Sequence, residues 1–107
     1  MEIMVNGNLW KIEFVKPTSR NLLRSDGSST LGVCDNGLKK IFIVDNVSRY
    51  MTDKILCHEL THLYAMEYDY YMPVEVEEIV ADFLSLFGRD IIYMADDVMS
   101  KILRRAA

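Results

Sequence analysis

Residues 45–66 read DNVSRYMTDKILCHELTHLYAM, and the spacing of apolar residues changes there from two to about 3.6. Tyr50, Met51, Ile55, Leu60 and Leu63 recur at helical intervals, with Asn46 or Ser48 available as N-cap. A long helix running to about Met66 is expected, and the character of the chain on either side of it follows.

On its N-terminal side the chain alternates. Ile3 and Val5, the pair Asn6-Gly7, then Trp10, Ile12 and Phe14 separated by Lys11 and Glu13 predict a hairpin, because Asn-Gly accepts the positive φ angles of a tight turn. Residues 16–30 are rich in Pro, Ser, Asn, Asp and Gly, with Leu22 and Leu23 the only apolar anchor, which predicts a loop containing at most one helical turn. A second hairpin is expected from Leu31-Gly32-Val33, the turn residues Asp35-Asn36-Gly37, and Ile41-Phe42-Ile43-Val44. The last of these is apolar at every position, as a central strand buried on both faces would be.

On the C-terminal side Pro73 suits a first helical position, and Glu75, Glu77 and Glu78 suit the positive end of a helix dipole. Val76, Ile79, Val80, Phe83, Leu84 and Phe87 form the apolar stripe of this second helix, with Gly88 as its terminator. A third helix is expected after it, capped by Asp90, with Ile91, Ala95, Val98 and Ile102 inward. The fold class is thus α+β over one domain, residues 1–107: a small N-terminal sheet of about four strands followed by three helices.

Composition narrows the functional classes. The 107 residues are 50% hydrophobic and 26% charged, a globular balance. The net charge of −4 has the wrong sign for a protein that grips phosphate backbones, so no nucleic-acid partner is expected. Gly88, Arg89 and Asp90 interrupt the longest apolar region well before the roughly 18 residues of a membrane span. The N-terminus lacks the pattern of a secretory signal, and two cysteines do not make a disulfide scaffold, so a cytoplasmic protein with reduced Cys34 and Cys57 is expected.

The only histidines, His58 and His62, lie four apart in His58-Glu59-Leu60-Thr61-His62. On a helix that spacing projects both imidazoles from one face, close enough to share a zinc ion, with Glu59 turned toward a water the metal would activate. An amphipathic helix with incidental histidines is the plainer reading. It is weakened by Glu78-Ile79-Val80-Ala81-Asp82, which puts two carboxylates on one face of the next helix. A catalytic zinc needs a third protein ligand, and Glu78 can supply it while Asp82 accepts a hydrogen bond from the other ring N–H of a ligating histidine. Glu75 and Glu77 are rivals for Glu78, but neither has an acidic residue at i+4.

With these motifs the chain resembles the gluzincins, zinc metallopeptidases that carry HExxH on one helix and Glu-x-x-x-Asp on the next. It is most similar to the small phage and prophage ImmA/IrrE-like members and to minimal gluzincin domains, over roughly Leu31 to Phe87. The resemblance implies a zincin-like fold, one zinc per chain held by His58, His62 and Glu78, Glu59 as general base and then acid, Asp82 supporting a histidine, and a phage or mobile-element origin.

The expected reaction is hydrolysis of a peptide bond in a protein or peptide substrate, which would add as a strand to the edge at Leu31 to Cys34. Tyr68, Tyr70, Tyr71 or Tyr93 could offer a phenol to the oxyanion, although core or rim packing is the plainer role for each. Cys57 should face the core. A thiolate at Cys34 could instead occupy the open zinc position and hold the protein latent. The alternative function is a non-proteolytic, zinc-stabilised binding or regulatory module of the same origin, and the intact Glu59 argues against it.

Overall fold

The structure, a computed structural model, describes residues 1–106. Four strands form one sheet in the order β1-β2-β4-β3, with β1 at Glu2–Val5, β2 at Asn8–Val15, β3 at Gly32–Asp35 and β4 at Lys40–Val44. The first hairpin is as expected: β1 and β2 are antiparallel, and Asn6 and Gly7 both have positive φ (49° and 78°), the combination a two-residue hairpin turn needs to match strand twist. The second hairpin, β3 with β4, is also antiparallel.

Between the hairpins, β2 and β4 run parallel, Ile12 opposite Ile41 and Phe14 opposite Ile43. The connection that permits this passes through residues 16–30, which contain one 3-10 turn, Arg20–Leu22, begun by the Ser19 hydroxyl accepting from the Asn21 amide. Leu22 is fully buried and anchors that loop against β3 and β4. Ile41, Phe42, Ile43 and Val44 are all buried, so β4 is the central strand that its uninterrupted apolar sequence implies.

Helix α1 spans Arg49–Glu67, and its N-cap is Ser48, whose hydroxyl accepts from the Met51 amide at 3.1 Å. It packs on β3 and β4 through Ile55 and Leu63. Its C-terminal end is tied to the first hairpin by Glu67, whose carboxylate accepts from Asn8 Nδ2 and Trp10 Nε1, both at 2.6 Å, and pairs with Lys39 Nζ at 3.2 Å. These bonds hold the Glu67 carboxyl below the usual carboxylate range, the amide of Asn8 contributing most.

The helical half departs from expectation in two ways. Helix α2, Val74–Phe83, passes through a π-helical segment, Leu84–Gly88, directly into α3, Arg89–Ala106, so the sheet is followed by two continuous helical rods rather than three helices. Gly88 does not terminate the second rod and Asp90 does not cap a third. Phe83, Leu84 and Arg89 all keep right-handed helical angles, and glycine adopts them as readily as the left-handed ones of a C-cap.

The apolar stripes are the second departure. Of α2 only Ala81 is fully buried, and every described side chain from Arg89 to Arg105 is exposed, including Ile91, Ala95, Val98 and Ile102. Sheet and α1 already close the core, so nothing among the described residues covers those positions. Among the described residues no helix is long and apolar enough to cross a membrane.

Candidate metal centre

Along α1 the buried residues are Ile55, Glu59, Leu63 and Glu67, one every four positions. Glu59 therefore sits on the stripe that faces the sheet, and His58 and His62, each one residue earlier on its turn, are rotated toward α2. Glu59 can occupy the apolar stripe because β3 offers Gly32 beneath it. A Cβ at Gly32 would lie 3.1 Å from Glu59 Cγ and 2.6 Å from Ile55 Cγ2.

The opposite wall comes from α2. Val76 and Glu77 amides bond to the Pro73 carbonyl, starting the helix so that its first turns present Glu77 and Glu78 to α1. Arg89 clamps the other end of this wall through a bidentate pair with Asp53 at 2.7 and 3.0 Å. The Cys57 thiol lies 3.5 Å from the Leu84 carbonyl, at the packing surface between the rods rather than in the sheet-facing core.

His58 Nε2 and His62 Nε2 are 3.1 Å apart. Glu78 closes the triangle, Oε2 lying 3.3 Å from His58 Nε2 and Oε1 2.9 Å from His62 Nε2. One ligand atom from each of the three residues lies within 4.8 Å of the others, and the two Glu78 contacts are made by different carboxylate oxygens, a grouping that could hold a metal ion.

The ring nitrogens turned away from the triangle each meet a carboxylate. His58 Nδ1 is 3.0 Å from Asp82 Oδ1, and His62 Nδ1 is 3.2 Å from Glu77 Oε2. A proton on each Nδ1 leaves each Nε2 lone pair directed at the triangle, the tautomer metal binding requires. The structure thus brings together His58, His62, Glu78 and Asp82, all singled out from sequence. It adds Glu77, whose signal was its position beside Glu78 on a turn facing the histidines; judged only as a rival ligand, it passes unnoticed as a positioning group.

Glu59 is 5% exposed, and burial raises its carboxyl pKa, opposed by the nearby charges of His58 and His62. It lines a cleft of ≈ 1020 Å³ between β3 and α2, whose walls also include Leu31, Val33 and the cations Arg24 and Lys54. That volume is at the upper end of ligand clefts, roughly 300–1,000 Å³.

Three further expectations meet the geometry here. β3 is an edge strand, leaving one side of Gly32–Asp35 without a neighbouring strand along the cleft. Tyr68, Tyr70, Tyr71 and Tyr93 do not line this cleft; Tyr68 and Tyr70 line a separate small hollow with Tyr64 and Met72. Cys34 does line it, but its thiol is pushed up to about 12, by burial first and then by the Glu59 charge. Comparison with protein-family models, with curated proteins and with solved structures finds no match.

Proposed function

We propose that this chain is a zinc-dependent metallopeptidase of the gluzincin type, one zinc per chain, acting on a protein or peptide substrate. The observation that carries the reading is the triangle of His58 Nε2, His62 Nε2 and a Glu78 carboxylate with a buried Glu59 beside it. These donors, two imidazoles and one carboxylate, are borderline and hard ligands suited to zinc, and they leave a fourth position open. When bound, zinc supplies Lewis-acid chemistry, acidifying water and polarising a carbonyl.

The chain's own residues do the rest. The free edge of β3 pairs with an extended peptide through backbone hydrogen bonds and lays a peptide bond along the cleft. Glu59 takes a proton from the attacking water on a carboxylate oxygen and delivers it to the leaving amine. Its burial makes it a stronger base than an exposed carboxylate. Asp82 and Glu77 hold the two imidazoles in orientation through their Nδ1 atoms.

A zinc-stabilised binding module is the second reading, favoured by the extent of exposed apolar surface on the second rod. The two differ at Glu59, which a purely structural centre does not use. The test is elemental analysis together with cleavage of a casein or peptide-library substrate by wild type and Glu59→Gln. The peptidase reading expects about one zinc per chain in both proteins and turnover reduced at least about a thousandfold in the variant. Zinc absent from wild type after reconstitution, or cleavage unchanged in Glu59→Gln, would overturn it.

A further inference from the structure

The outer side of the second rod is an extended apolar surface. Ile79 is 68% exposed and Leu103 63%, and roughly a dozen apolar side chains from Val76 to Leu103 are at least one-third exposed. The rod reaches beyond the folded body: the radius of gyration is 16.4 Å and the longest extent 57 Å, against about 13 Å for the radius of a compact domain of this length. Helices in proteins take most of their stability from packing an apolar face, and α3 packs its own against nothing among the described residues.

That face is continuous along the rod, and the π-helical segment makes it so. Ile79, Phe83, Phe87, Ile91 and Ala95 follow at intervals of four. On a regular α-helix each such step overshoots a turn by roughly 40°, so four steps would carry the stripe through about 160°. The wide turn at Leu84–Gly88 takes in one additional residue and returns roughly 100° of that drift. The stripe therefore runs along one side, away from α1, while Ala81, Ser85 and Gly88, the more buried positions, mark the side facing α1.

We propose that a second copy of this chain covers the stripe, the two rods packed antiparallel about a two-fold axis beside Ile91. Reversal about Ile91 sets Ile79 opposite the partner's Ile102, Phe83 opposite the partner's Val98, and Ile91 opposite its own equivalent, an isologous apolar seam over the whole rod.

Charge selects this direction. Helical phase puts Glu75 on one flank of the stripe near its start and Arg105 on the same flank near its end, while Lys101 on that flank is paired with Asp97 at 3.1 Å. Antiparallel packing brings equal flanks together, so Glu75 of each copy meets Arg105 of the other. A membrane surface fits less well, because the polar side of α3 mixes Asp90, Asp96 and Asp97 with Lys101, Arg104 and Arg105.

The test is sedimentation equilibrium of the full chain. Wild type is expected at twice 12.4 kDa in the micromolar range. Ile91→Glu and Ile102→Glu, both at exposed positions, are expected to raise the dimer Kd at least about a hundredfold with helix content checked by circular dichroism, whereas Tyr93→Glu on the opposite side leaves it unchanged. Arg105→Glu should weaken the dimer and Glu75→Lys should restore it in the double variant. A wild-type monomer at about 100 μM, a dimer surviving both isoleucine variants, or a charge swap without recovery would each overturn the proposal.

Discussion

Gly32 and Glu59 are in contact across the interface of β3 and α1, and the missing Cβ of the glycine is what lets a carboxylate lie in an apolar helix stripe. A methyl group there would stand 2.6 Å from Ile55 Cγ2, inside the distance real carbon atoms keep, and 3.1 Å from Glu59 Cγ. Because Ile55 is buried, α1 has to move.

Gly32→Ala is therefore expected to destabilise the fold by about 1–3 kcal/mol and to lower any hydrolysis roughly tenfold to a hundredfold by displacing Glu59. Gly37→Ala, whose added Cβ meets only Asp35 Oδ1 at 3.4 Å, is the control and should stay within about 0.5 kcal/mol. Urea denaturation of the two variants reads the difference, and equal midpoints would show that the close approach is not rigid.

Glu59 itself opposes folding at neutral pH. A carboxyl whose folded pKa is raised binds its proton more tightly in the folded chain, so stability falls as pH rises from the unfolded value through the folded one. Metal-free Glu59→Gln should accordingly melt a few degrees above metal-free wild type at pH 8, with the gain vanishing toward pH 4. A variant less stable than wild type at pH 8 would mean that His58 and His62 outweigh the burial.

Glu67 has the opposite sign. Its folded pKa is depressed, so its contribution is complete above the unfolded value of about 4.3 and disappears as pH falls through the folded value. Glu67→Gln keeps the size but loses the charge that Trp10, Asn8 and Lys39 share, and should lower the melting temperature by about 5–10 °C at pH 7. The gap should close only as pH falls through the depressed folded value, where wild type becomes protonated too. A pH-independent gap would assign the effect to packing instead.

Asp82 and Glu77 differ in how firmly they hold their imidazoles. The Asp82 contact to His58 is a 3.0 Å hydrogen bond, and the Glu77 contact to His62 is a 3.2 Å ion-pair distance. Competition with a chelator should show zinc affinity reduced about 10- to 100-fold in Asp82→Ala and by less in Glu77→Ala. Unchanged affinity in both would leave the two carboxylates with no part in the site.

By itself the sequence determined what depends on near neighbours along the chain. The Asn6-Gly7 turn, the wholly apolar β4, the Ser48 cap and the four-residue spacings of His58 with His62 and Glu78 with Asp82 are local, and periodicity and turn chemistry express local constraints directly. Only the tertiary structure decided how the pieces meet. Parallel pairing of β2 with β4, the seat for Glu59 on Gly32, the approach of Glu77 to His62 and the distance of the tyrosines from the cleft all depend on residues far apart in sequence. The second rod shows the limit most clearly. An apolar stripe predicts that something will cover it, and Gly88 followed by Asp90 is compatible with a helix end. Whether the helix stops there and folds its stripe back depends on whether the body has an open apolar face to receive it, and sheet and α1 had already closed theirs.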